Sequence, residues 1–178
     1  WFNREGKAVE AVGSAAPYRG VELSPDGTRV AIHRHDELGG DLWMLERARG
    51  TMSRFTFDPA QDNSGPVWSR DGTQVAYTSV RGGKWGLYEK AANGVGAEQQ
   101  LLESDIRVAP SAWSRDGSSL VYETINAETG NDVMLLPRGS RTATPLVRTK
   151  VNEGAAQVLP DRNLLAYQPK GRGPPDVY

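Results

Sequence analysis

The stretch Leu23-Ser24-Pro25-Asp26-Gly27-Thr28-Arg29-Val30-Ala31-Ile32 decides how this chain is read, because it recurs. Trp68-Ser69-Arg70-Asp71-Gly72-Thr73-Gln74-Val75-Ala76-Tyr77 repeats its register without a gap, and so does Trp113-Ser114-Arg115-Asp116-Gly117-Ser118-Ser119-Leu120-Val121-Tyr122. Asp26, Asp71 and Asp116 stand 45 residues apart, and one further step lands on Asp161 in Leu159-Pro160-Asp161-Arg162-Asn163. Four copies of one unit therefore span nearly the whole sequence. The flanking positions fall into columns. Leu23, Trp68, Trp113 and Val158 form one, Val30, Val75, Leu120 and Leu165 a second, and Ile32, Tyr77, Tyr122 and Tyr167 a third. Large apolar residues at alternate positions mark a strand packed on one face. The residues between the last two columns, Ala31, Ala76, Val121 and Ala166, leave room for a neighbouring sheet. The columns read as core.

Each unit divides into four short strands. In the first, strands are predicted over Val21 to Ser24, Arg29 to His33, Asp41 to Glu46 and Met52 to Phe57. The turn between the first two has its own chemistry: Asp accepts backbone N–H groups two or three residues on, and Gly supplies the positive φ of a tight hairpin. Asp26-Gly27, Asp71-Gly72, Asp116-Gly117 and Asp161 are thus structural turn residues. In the last unit Arg162 stands where the others have glycine, so that unit is the one expected to deviate. A period of roughly 40 to 45 residues with strand chemistry is that of one propeller blade, and each blade buries its faces only by stacking on its neighbours. The fold class is all-β: a β-propeller of about four four-stranded antiparallel blades. We read it as a single domain with repeats near 19–63, 64–107 and 108–152, and a last one made of 153–178 plus 1–18.

Two closures fit the ends. Trp1 aligns with Leu45 and Tyr178 with Trp43, so residues 1 to 12 can supply outer strands to a blade whose inner strands come from Gly154 to Gln168. That makes a closed four-bladed ring, at the low end of the known range. The alternative is a segment of a larger, six-bladed propeller with open sheet edges and a possible homodimer. A chain that opens with Trp reads as cut from something longer.

Composition excludes several functions. Charged residues make up 24% and balance to a net charge of −1, which removes the global field that attracts nucleic acid or an anionic membrane. No stretch approaches the ~20 apolar residues of a membrane span, so direct membrane insertion is not expected. Without cysteine there is no disulfide, thiolate metal site or thiol nucleophile.

Function then falls to the loops, since fold does not imply it. The connections from second to third strand and from blade to blade emerge at one end, and loops on a rigid scaffold are where binding usually resides. On that face we place His33, His35, Arg81, Lys84, Trp85, Tyr18, Arg19 and Arg107 as candidate binding residues, arginine and aromatics being common anchors. Trp85 breaks the repeat columns, the others being read from loop position alone. His33, His35 and Asp36 are close in sequence, yet alternate strand residues point to opposite faces, so we read a solvated strand end and no metal site. Ser24, Ser69 and Ser114 recur because the turn needs them, and no Gly-x-Ser-x-Gly elbow is present. The repeated aspartates belong to different blades and serve turns, not paired acid and base catalysis. Gly82-Gly83 and Gly94-x-Gly96 are hairpin glycines, with no helix following to bind phosphate. No catalytic residue and no cofactor is expected.

Leu23-Ser24-Pro25-Asp26-Gly27-Thr28-Arg29-Val30-Ala31, Asp41-Leu42-Trp43, Pro66-Val67-Trp68-Ser69-Arg70-Asp71-Gly72 and Trp113-Ser114-Arg115-Asp116-Gly117 resemble the WD-like repeats of TolB-type β-propellers over essentially the whole chain. More narrowly, Trp1-Phe2-Asn3-Arg4-Glu5-Gly6-Lys7 with Arg54-Phe55-Thr56-Phe57-Asp58-Pro59 resembles the propeller that accompanies some bacterial serine/threonine protein kinases. The resemblance implies a periplasmic or otherwise extracytoplasmic, non-catalytic sensor or scaffold that recognises a protein or peptide. The kinase parts themselves are not in this sequence. TolB-like blades also resemble the gating ring of prolyl-oligopeptidase-type peptidases, whose hydrolase domain does the chemistry. A lyase site on the propeller axis is a third reading, which needs His and carboxylate side chains to converge there.

Overall fold

The computed structural model describes residues 1–37, 39–57, 62–149, 152–158 and 165–170. Its strands are β1 (Tyr18–Leu23), β2 (Arg29–Asp36), β3 (Gly39–Glu46), β4 (Thr51–Arg54), β5 (Asp62–Trp68), β6 (Gln74–Arg81), β7 (Lys84–Ala91), β8 (Gln99–Ser104), β9 (Val108–Trp113), β10 (Ser119–Asn126), β11 (Gly130–Pro137), β12 (Thr144–Val147), β13 (Asn152–Val158) and β14 (Leu165–Lys170). They pair in sequence order into three antiparallel four-stranded sheets, β1 to β4, β5 to β8 and β9 to β12, and a two-stranded sheet of β13 and β14. This is the all-β, bladed architecture that the repeat predicts. Asp161 and Tyr178 lie outside the described residues.

The Asp-Gly turns show why the first two strands of each blade hold one register. Ser24, Ser69 and Ser114 each donate Oγ–H to the aspartate two residues on, at 2.6, 2.6 and 2.7 Å. Each serine oxygen accepts the backbone N–H five residues on at 2.9 Å. Gly27, Gly72 and Gly117 sit at φ 71°, 70° and 68°, the left-handed region that favours glycine.

Packing alternates between the two faces of each sheet. Ala31, Leu42 and Met44 of the first sheet meet Trp68, Val75, Tyr77 and Tyr88 of the second. Val67, Ala76, Leu87 and Leu101 of the second meet Val108, Trp113, Leu120 and Tyr122 of the third. Val121 and Val133 meet Ala156, with Val158, Leu165 and Tyr167 packed alongside. The small column thus faces the following blade and the large columns the preceding one. Leu23 departs from its column: it is 46% exposed, whereas Trp68 and Trp113 are 5% and 2% exposed. The reason is positional. Each tryptophan lies against the blade before it, and Trp68 Nε1 donates to the Glu22 carbonyl at 3.0 Å. Leu23 belongs to the first blade and has no such neighbour among the described residues.

Two expectations change here. Residues 1 to 12 pair with neither β13 nor β14. They fold back on themselves through an isolated Phe2–Ala8 bridge and a Val9 N–H bond to the Trp1 carbonyl at 2.8 Å. Trp1, Val12 and Tyr18 then pack on Val30, Ile32 and Leu45, the face of the first sheet that a preceding blade would cover. The four sheets therefore form an open arc, and no strand of the first sheet makes an extended contact with β13 or β14. The second change is in the hairpin of the first blade, which is tighter than predicted, and the second blade has a hairpin equally tight. Strand β2 runs to Asp36 and pairs it with Gly39, and Arg81 pairs with Lys84 across Gly82-Gly83. Strand β4 is shorter than predicted, because the Leu42 carbonyl accepts both the Phe55 and Thr56 N–H groups, at 2.8 and 3.3 Å, and the ladder stops.

Candidate functional site

The tight hairpins and the blade-to-blade connections bring the candidate residues to one end of the arc, in two groups set at the seams between blades. The first group lies between the first and second sheets. His33 and His35 alternate along β2 and share a side, with ring centroids 5.9 Å apart in an edge-on arrangement. Neither stands in a solvated loop: His33 is 8% exposed and the His35 side chain 31%. This overturns the reading of a solvated strand end, and the cause is the extension of β2 beyond His33. The carboxylate that joins them is Asp62 at the start of β5, its Oδ1 3.9 Å from His33 Nε2 and 3.7 Å from His35 Nδ1. Asp36 is exposed at the hairpin end. Burial holds the His33 imidazole below its ordinary pKa against the opposing pull of Asp62; Arg19, itself exposed, also lowers it. Beside this group Asp41 ties β3 to β4, accepting Arg54 Nη2 and, at 2.8 Å, Thr56 Oγ1.

The second group spans the seam between the second and third sheets. Lys84, exposed on the hairpin, pairs with Asp105 at 3.0 Å and Glu103 at 3.6 Å, and the Asp105 bond raises its pKa. Arg107 places its guanidinium 6.0 Å from the centre of the Trp85 ring. Trp85 itself is half-buried against the core of Val67, Leu87 and Val108, so part of it serves packing. Ile106, on the connection into β9, and Ile125, near the end of β10, are each 43% exposed, and Phe57, on the connection from the first to the second blade, is 64% exposed.

Two candidates are committed elsewhere. Arg81 does not reach into solvent: its guanidinium pairs with Glu98 and lies 3.8 Å from the centre of the Tyr88 ring. Glu98 also accepts the Tyr77 hydroxyl, and burial raises the Tyr77 pKa. Gly86 makes room for this network, since a Cβ there would come within 2.7 Å of Tyr88 Cε2. Tyr18 packs on the first core and donates its hydroxyl to the Ser14 carbonyl at 2.7 Å. Asp62, Glu103 and Phe57 were not singled out in the sequence. Asp62 opens β5, Glu103 lies near the end of β8 and Phe57 follows β4, and no periodic signal says which side chains such strand ends and connections bring together.

The three recurring serines donate to turn aspartates whose carboxyls are held down to about 2, which makes those carboxylates weak bases toward the serine hydroxyl. Among the described residues no helix is long and apolar enough to cross a membrane.

Comparison with known proteins agrees with this architecture. TolB from Acinetobacter baumannii superposes with a TM-score of 0.72 at 14% identity, over 99% of this chain and 47% of that one. An oligogalacturonate lyase from Vibrio parahaemolyticus does so with a TM-score of 0.75 at 13% identity, over 99% and 54%. At these identities the likeness is one of fold. In sequence, an uncharacterized peptidase, YuxL of Bacillus subtilis, is 28% identical over 119 residues, which make up 63% of this chain and 18% of that protein. The chain thus spans about half the length of the solved structures and under a fifth of the peptidase. The TolB beta propeller domain model, PD40, matches residues 7–178, and the chain belongs to that family.

Proposed function

We propose that this propeller acts by recognition, binding a protein or peptide across the seam of the second and third blades. The observation that carries the reading is the contrast between the two ends of the blades. At the turn end, serine, aspartate and glycine satisfy one another. At the other end Trp85, Arg107 and Lys84 stand with exposed Ile106 and Ile125, the Ile125 N–H donating to the Arg107 carbonyl at 3.2 Å. Half-buried aromatics with charged neighbours and an apolar surround are the composition of a binding anchor. The module is a sensor or scaffold, extracytoplasmic as the family resemblance implies, and chemistry is left to whatever it is joined to.

The test is selection of peptides from a random displayed library on the immobilised chain, followed by titration of the selected peptides. Lys84→Ala with Arg107→Ala is expected to weaken binding about tenfold or more, and Asp116→Ala at the turn end to leave it unchanged. Equal binding by the loop variant would remove this surface from the reading. The peptidase relative favours a second form of the same idea, in which the arc is part of a ring over a peptidase domain. The gene around residues 1–178 separates the forms: a Gly-x-Ser-x-Gly elbow downstream marks the peptidase, and a kinase signature upstream marks the sensor.

A further inference from the structure

We infer that His33, His35 and Asp62 form a binding site for a divalent transition-metal ion at the seam of the first and second blades. The site is independent of the recognition surface proposed above. Its three donor atoms, His33 Nε2, His35 Nδ1 and Asp62 Oδ1, all lie within 4.8 Å of one another. Each is shielded from water and has no hydrogen-bond partner among the described residues. Their separations from the carboxylate, 3.9 and 3.7 Å, are too long for hydrogen bonds. They are close enough that an ion equidistant from all three would lie no more than about 2.5 Å from each, near the bond lengths of imidazole and carboxylate to zinc. A buried polar atom left unpaired carries an uncompensated desolvation cost. Three such atoms facing one point call for a common partner.

Gly40 supplies the second observation. It is buried opposite His35 in the hairpin, and it is not among the glycines with positive φ, so its backbone conformation does not demand glycine. The space beside it does. A Cβ at this position would lie 2.6 Å from His33 Nε2 and closer still to Asp62 Oδ1. Glycine keeps open the point on which the three donors converge. Two imidazoles and one carboxylate suit zinc, nickel or manganese rather than calcium or magnesium, which prefer all-oxygen sets. The Asp62 and His35 side chains are 43% and 31% exposed, so the site lies near the surface although its three donor atoms are shielded. Of the charges that bear on His33, Arg19 opposes a cation and Asp41 favours one.

The test uses the tag-free chain with zinc chloride as probe, titrated by calorimetry and checked for bound metal after dialysis. One zinc per chain is expected, with cobalt giving the visible absorption of a nitrogen- and oxygen-ligated ion. Calcium at the same concentration is expected not to compete. His35→Gln and Asp62→Ala should each weaken zinc about tenfold or more with an unchanged circular dichroism spectrum, and Asp36→Ala should not. Gly40→Ala, which crowds the point of convergence while keeping every ligand, should also weaken zinc. If Asp62→Ala unfolds the chain, His35→Gln and Gly40→Ala carry the decision. Overturning results are no stoichiometric zinc on the folded chain, calcium binding as tight as zinc, or undiminished zinc binding in the folded His35→Gln and Gly40→Ala variants. The first would leave the three groups as neighbours with no ion between them.

Discussion

At the turn of the second blade, Asp71 accepts the Ser69 hydroxyl at 2.6 Å, the Thr73 N–H at 3.0 Å and the Thr73 hydroxyl at 2.8 Å. These donors, led by Ser69, hold its carboxyl down to about 2, below the ordinary 3.8. A carboxylate whose folded pKa is depressed stabilises the fold above its unfolded pKa, and loses that contribution as the pH falls through the folded one. Asp71→Ala should therefore lower Tm by about 2–4 °C at pH 7, solvent screening keeping the effect modest. The gap should narrow between pH 5 and pH 2 in thermal melts. A gap of the same size at pH 2 would mean that the side chain contributes by shape and not by charge. Arg81 carries a different prediction. Its guanidinium covers Tyr88 and answers Glu98, which also takes the Tyr77 hydroxyl. Arg81→Ala should destabilise by about 1–3 kcal/mol, measured by urea unfolding. A loss near zero would return Arg81 to the loop surface where the sequence alone had placed it.

The blade is the element on which burial is decided, and one column of the repeat shows how. Trp113 rests on the preceding sheet and is 2% exposed, while Leu23, in the same column, is 46% exposed. Trp113→Ala should cost about 3–5 kcal/mol as a core truncation, and Leu23→Ala about 0.5 kcal/mol or less. Comparable losses in urea unfolding would mean that Leu23 is covered in solution. The same column marks what the residues could disclose. Periodic positions such as Val30, Val75 and Leu120 could be read because strand alternation repeats at fixed spacing, and the turn aspartates because their chemistry is local. The seam at His33 could not. Asp62 arrives on the first strand of the next sheet, although the repeat places it at the end of the first unit, and β2 continues past His33 by pairing that no residue pattern announces. Arg81 escaped for a related reason: its partner Glu98 precedes the outer strand β8, and contact between them depends on how a long side chain runs across a sheet.

Viewed whole, the arc ends at its first blade in a surface unlike the seams. The N-terminal hairpin lays Trp1 on the first sheet, held by Arg47 at 4.6 Å from its ring, but it is narrower than a blade. Around it Phe2, Val9, Val21 and Leu23 are 74%, 67%, 67% and 46% exposed. Exposed apolar residues gathered on one face mark an association surface. Two chains can cover these residues by meeting at their first blades, without disturbing the seams that hold the loop groups. Light scattering on a sizing column should accordingly show a mass that rises with concentration. Val21→Ser with Leu23→Ser should restore a monomer and leave the melting temperature nearly unchanged, because both side chains lie outside the core. A wild-type chain that stays monomeric at every concentration would mean that the hairpin of residues 1–10 alone is an adequate cap. Association that survives the double substitution would move the contact to the other end of the arc, where β14 is an edge among the described residues.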